Sequence, residues 1–445
     1  MPTLTRDIAT FTSALALDTL PPQVVEKART CVLNAFGMGL NGLDTPYVKV
    51  AREAVLATEG EVANGATLFG DGRRTTTAGA CLANSALFHG RAQEDTCGAA
   101  HFGTILVPML TAMIEVQRLP LDRLIPALVA GYESGGLLEQ AFAGKTTPGG
   151  FRSTATYGSI AAAAAASRLM GLDAATTAAA LANAVSFSGG VLQSFADGTD
   201  EWRYQPGIAG RNGLTAAALA RAGSVSAPQA IEGKAGFVKA FAGVDVPADL
   251  AASLGRDWAT LRVTFKPFPV CAFNQTPVTG ALKLREALKG ETLRAVRVRM
   301  NPYETGYAGM DAVGPFNSIS GTLMSIPFCI ATTLIHGVPD MKRMTTYDDD
   351  SVASLVHRTT LIGDPAVPQL CAVIEADTAN GTRVHEQRMT SADYAYDRAT
   401  VSRMLRRIGD EQAVPPEAFT RIEDFADRLP QGAIANAISS FAVRA

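Results

Sequence analysis

Between Asn84 and Pro108 the chain places His89, Arg91, Glu94, Asp95, Thr96, Cys97 and His101 within thirteen positions, flanked by apolar helical runs. Such a set supplies groups that titrate near neutrality, carboxylates to orient them, and a cation for a substrate carboxylate. A plainer reading lets Glu94 and Asp95 cap the following helix and makes His89 a core histidine. Metal binding has little support, because neither His-x-x-x-His nor Cys-x-x-Cys spacing is present.

Three further stretches carry chemistry. In Gly149–Gly158 the glycines precede a helix start. Arg152 adds a fork that can hold a carboxylate bidentately, and Tyr157 can donate a proton. In Asp197–Gly207, Arg203 offers a second anion anchor. In Phe265–Cys271, prolines stiffen the chain around Lys266. A lysine among apolar walls and other cations loses proton affinity and becomes usable as a base.

Positioning these groups requires a large scaffold. The 445 residues imply two or three domains. A net charge of -3 gives no bulk attraction to nucleic acid or to an anionic membrane. Six scattered cysteines suit reduced thiols in a cytoplasmic protein, and no secretory leader is read at the N-terminus.

Helical periodicity begins at Leu20 and is expected to break at Gly37, Gly39 and Gly42. Further helices are predicted over Pro46–Ala57, Thr76–Phe88, Thr104–Gln117, Asp122–Ala141, Ser159–Met170 and Ala174–Phe187. Near Thr264 the pattern changes. Leu293–Met300 alternates as a half-buried strand, and Leu370–Asp377 with Thr382–Met389 flank Asn380-Gly381, a hairpin signal. Phe316–His336 is apolar enough for one buried helix, and helix returns at Thr400–Ile408 and Pro416–Leu429. The fold expected is mainly α: a large all-helical domain (1–264 with 400–445) and a smaller α+β, lid-like domain (265–399) with an antiparallel sheet.

The four stretches, in this order and at these separations, resemble the MmgE/PrpD family. Further matches lie at Leu20–Val25, Gly150–Ala165, Lys266–Pro269 and Ser325-Ile-Pro-Phe328. The activities of that family include dehydration of 2-methylcitrate, decarboxylation of cis-aconitate and epimerisation of iminodisuccinate. The resemblance implies a cleft between two domains, a homodimer, a small polycarboxylate substrate and no cofactor. Thr96, His101 and Lys266 fall on functional positions of the family. Arg152 replaces a usual histidine, Trp202 a lysine, Phe328 a tyrosine and Ala92 an aspartate.

So many lost polar groups favour an isomerase, a cofactor-independent epimerase that inverts an α-carbon of an amino-polycarboxylate by two-base proton transfer. His101, Lys266 and Tyr157 are then the catalytic candidates, and Arg152, Arg203, Thr96 and Arg91 hold the substrate. Within that reading, a rival scheme uses the thiols of Cys97 and Cys271; a lyase acting on a tricarboxylate is the second reading, and a catalytically silent helical scaffold that binds an acidic metabolite the third.

Overall fold

The computed structural model describes residues 3–443. It divides into two compact units. The first comprises the chain up to Val191, Arg203–Phe265 and the stretch from Ala395 onward, and the second Leu192–Trp202 and Lys266–Tyr394. The fold is mainly α, with a small sheet in the second unit.

In the first unit, Pro22–Asn41 is one continuous helix. Gly37 and Gly39 do not break it, contrary to the expectation from sequence. A Cβ on Gly37 would lie 2.4 Å from Leu405 Cδ1, and one on Gly39 2.6 Å from the Phe88 ring. The glycines let neighbouring side chains reach the helix backbone, and that packing outweighs a propensity penalty of about 1 kcal/mol each. Phe36 on the same helix meets Phe88 edge-on at 5.6 Å and Phe425 at 5.8 Å between ring centroids.

The small-residue helices pack more closely still. Ser153–Met170, in which Ala161–Ala166 are all buried, lies against Gln205–Arg221. A Cβ on Gly213 would come within 2.5 Å of Ala163 N, one on Gly210 within 2.6 Å of Cys81 Sγ, and one on Gly207 within 2.8 Å of Leu82 Cα. The Gln205–Arg221 helix is therefore pressed against both Thr77–Phe88 and Ser153–Met170. A short antiparallel ladder sets Asp95 opposite Phe265 and Thr96 opposite Thr264.

The second unit holds a four-stranded sheet in the order Thr359–Gly363, Leu293–Met300, Cys371–Thr378, Gly381–Arg388. Val296, Val298 and Met300 are buried, while Arg297 and Arg299 on the opposite face pair with Glu375, and Arg297 also with Asp377. The hairpin turns at Asn380-Gly381, where Gly381 has φ 109°. The sheet is mixed and not purely antiparallel: Leu293–Met300 and Thr359–Gly363 run parallel, joined by an intervening helical crossover. The apolar run Phe316–His336 is also not one helix. It forms Ile319–Met324 and Ile326–His336, separated at Ser325, whose hydroxyl accepts from Phe328 N–H ahead of the second helix. Among the described residues, no helix is long and apolar enough to cross a membrane.

Candidate active site

The Thr77–Phe88 helix ends at His89, its C-cap. Beyond it the chain turns through Ala92, which has φ 57°. Aspartate tolerates this left-handed region better than alanine does. The turn is fixed from outside by Arg203, whose Nη1 donates to the carbonyls of His89 at 3.1 Å and Gly90 at 2.7 Å. The same guanidinium lies 4.0 Å over the Tyr47 ring. A cation at exposed helix carbonyls also opposes the negative end of the helix dipole.

The His89 ring is wholly buried, with a charged side chain close to each nitrogen. Nδ1 lies 3.0 Å from Glu94 Oε2, and Nε2 lies 2.9 Å from Arg152 Nη2. A guanidinium can only donate, so Nε2 is the acceptor and the proton sits on Nδ1, facing the carboxylate. Burial pushes the His89 pKa down to about 4; Glu94 opposes the shift, and the positive charges of Arg152 and Arg203 add to it. His89 is thus a neutral hydrogen-bonding spacer at pH 7. Arg152 also donates through Nη1 to Gln205 Oε1 at 3.3 Å, so two contacts on two elements set its plane.

His101 shares the same carboxylate. Its Nδ1 is 2.9 Å from the Asp95 carbonyl and 3.5 Å from Glu94 Oε1, and its ring centroid is 5.7 Å from that of His89. Because a carbonyl only accepts, Nδ1 carries a proton, which leaves Nε2 as the nitrogen that can take up or release one. The His101 side chain is 15% exposed, against 2% for Glu94 and none for His89, which makes it the more accessible of the two histidines. Its backbone N–H donates to Thr154 Oγ1 at 3.2 Å.

Asp95 supports the loop. Its carboxylate accepts from Gly103 N–H at 3.2 Å and from the Tyr132 hydroxyl, whose ionisation burial and Asp95 together push well above the usual tyrosine range. Thr96 Oγ1 meets Thr264 Oγ1 at 2.6 Å.

The other expected site residues lie as follows. Arg91 bonds Gln93 at 2.9 Å and Glu411 at 2.6 Å, tying the loop to the Arg398–Glu411 helix. Tyr157 is buried, with its hydroxyl 2.9 Å from Thr146 Oγ1 and its ring edge-on to Phe237. Lys266 is a buried residue of the second unit, immediately after Phe265. Trp202, also in that unit, donates to Ser320 Oγ at 3.1 Å. Two contributors escaped the sequence reading. Gln205 stands at the start of its helix, and Glu139, like Glu133, is a buried acid in the otherwise mostly apolar Leu124–Thr146 helix, which is the one signal that marks it. The thiol scheme is opposed physically: burial, with Glu139 nearby, pushes the Cys97 thiol well above its ordinary value. Among the described residues, no group of three or more His, Cys, Asp or Glu is placed to hold a metal.

The MmgE/PrpD N-terminal domain matches residues 6–248, and the MmgE/PrpD C-terminal domain residues 268–403. The chain belongs to the MmgE/PrpD family. It is 26% identical over 386 residues to the cis-aconitate decarboxylase-like protein oryM of Aspergillus oryzae, covering 81% of this chain and 79% of that protein. Cis-aconitate decarboxylase of Aspergillus terreus is 26% identical over 370 residues, covering 78% and 75% of the two chains. The human cis-aconitate decarboxylase is 27% identical over 297 residues, or 65% of this chain and 61% of the human one.

These relatives overturn the isomerase reading, since proteins named as decarboxylases are lyases. A count of polar groups taken one position at a time does not capture how the remaining ones are grouped. Arg152, counted there as a loss, stands in a charged cluster with Glu94 and His89, and His101 meets the same carboxylate.

Proposed function

We propose that this MmgE/PrpD protein is a lyase acting on an aliphatic tricarboxylate, with cis-aconitate as the first substrate to test and a hydroxylated tricarboxylate such as 2-methylcitrate as the second. The observation that carries this reading is the Glu94–His89–Arg152 cluster with His101 at its accessible edge.

Loss of CO2 leaves an electron pair on carbon that must be delocalised toward a neighbouring carboxylate and then take a proton. Loss of water needs a proton removed beside a carboxylate and another delivered to the departing hydroxyl. Both demand a cation on a carboxylate and a proton carrier. Arg152 takes the first role, and His101, through Nε2, the second. Lys266 is the further proton carrier, and Thr96 a substrate hydrogen-bonding group. Arg203 and Arg91 hold the loop, and Tyr157 packs the helix that Arg152 precedes. Acid–base transfer supplies roughly 10² to 10⁴ in rate, and fixed charge must supply much of the rest. As the family resemblance implies, the working form is a homodimer.

The test incubates the protein with each tricarboxylate, following CO2 release and the ultraviolet absorbance of carbon–carbon double bonds made or lost. Turnover that falls by about 10²-fold or more in His101→Gln supports the reading. Failure to consume any tricarboxylate refutes it.

A further inference from the structure

We infer that His89 and Glu94 are positioning residues, which together hold the Arg152 guanidinium in place for a substrate carboxylate by locking one tautomer of the imidazole. This rests on the lyase reading for its kinetic consequence, but not for its geometry.

The chain of cause runs in one direction. Glu94 is buried, and its Oε2 stands 3.0 Å from His89 Nδ1. A carboxylate this close to Nδ1 attracts a proton there through its charge, so it favours the Nδ1–H form of the ring. That form presents a lone pair at Nε2, where Arg152 Nη2 donates at 2.9 Å. The opposite tautomer would turn an N–H toward an N–H at the same distance and drive the guanidinium away. Gln205 gives a second fixed acceptor at 3.3 Å, and two acceptors on different elements define the plane of a rigid fork.

The backbone supports the same arrangement. His89 ends one helix, Arg152 immediately precedes another and Gln205 begins a third, and these helices meet through glycine and alanine contacts. The carbonyl of His89 is itself held by Arg203 at 3.1 Å, so the residue is fixed at its main chain as well as at Nε2, with the Glu94 carboxylate against Nδ1. His89 therefore acts on the substrate only through Arg152.

Two measurements test this. In ¹⁵N-labelled protein at pH 7, the His89 ring nitrogens are expected to show a protonated Nδ1 and an unprotonated Nε2. An Nε2–H form or an imidazolium would overturn the inference, whatever the protein catalyses. In steady-state kinetics with the tricarboxylate that is turned over, His89→Leu is expected to raise KM by about tenfold or more with kcat within about threefold, the scale of one lost charge-assisted hydrogen bond. His89→Gln, which keeps an acceptor for Arg152, is expected to recover most of that loss. An unchanged KM in a folded His89→Leu protein, or a fall in kcat alone, would overturn the inference. If His89→Leu does not fold, the tautomer and the His89→Gln kinetics still decide, with a KM more than about tenfold above the unaltered protein's counting against it. Absence of any tricarboxylate turnover would sink the lyase reading alone, leaving the ring nitrogens to decide the positioning.

Discussion

Glu139 accepts the backbone N–H of Ala99 at 2.7 Å, beneath the turn that separates Thr96 from His101. The approach is close: a Cβ on Gly98, whose φ is 62°, would lie 2.0 Å from Glu139 Oε2. Burial pushes the Glu139 pKa up to about 7, with the Ala99 bond and Arg262 opposing the shift. The native state therefore holds this proton at pH values where the unfolded chain has released it. Stability is lost as pH rises from the ordinary glutamate value through about 7. Glu139→Gln cannot ionise and is expected to gain about 3 kcal/mol relative to the unaltered protein over that window. Urea unfolding of both proteins at pH 5 and pH 8 checks this, and an equal difference at both pH values would sink it.

His89 gives the opposite sign. Its pKa is pushed down to about 4, so the unfolded chain binds the proton first as pH falls. Stability that is present above pH 6.5 is expected to decline by about 3 kcal/mol as pH drops to about 4. His89→Gln has no such proton to bind. Comparing the urea midpoints of the two proteins at pH 7 and pH 4.5 separates them, and parallel declines would refute the assignment.

Gly213→Ala reverses the usual helix rule. Alanine ordinarily stabilises a helix interior by about 1 kcal/mol over glycine. Here the new methyl would meet Ala162 Cβ at 2.3 Å and Ala163 N at 2.5 Å, and main chain cannot step aside as a rotamer can. A net loss of about 1–3 kcal/mol is expected, read as a lower thermal midpoint. KM is expected to rise too, because the displaced helices carry Gln205 and adjoin Arg152. An unchanged or higher midpoint would show that the interface yields.

Arg203→Lys keeps the charge but loses the planar contact with Tyr47 and the geometry that reaches two carbonyls from one nitrogen. With a buried network broken, a loss of about 2–4 kcal/mol is expected in chemical denaturation. A midpoint equal to that of the unaltered protein would mean that charge alone secures the turn.

The sequence carried the elements whose cause is local. Periodicity places most of the long helices, and Asn380-Gly381 marks its hairpin because φ above zero favours those residues. Features with a distant cause stayed hidden. Gly37 and Gly39 read as breakers until Leu405 and Phe88 are seen against them. The parallel pairing of Leu293–Met300 with Thr359–Gly363 joins strands some sixty residues apart, with no local signature. The reactive side chains could be picked out in advance as candidates, but their partners could not. Arg203 reads as an anion anchor until its bonds to the carbonyls of His89 and Gly90 are known. Glu94, assigned to helix capping by the plainer reading, touches both histidines.

The glycine–alanine seam between Ser153–Met170 and Gln205–Arg221 contains almost no rotatable side-chain bonds. Little conformational freedom is lost there on folding, and little can be regained by warming short of separating the helices. The seam consequently behaves as a hinge pin with no play. Heat should leave the spacing of Arg152 and Gln205 nearly constant until the first unit melts, so that activity ends abruptly with unfolding.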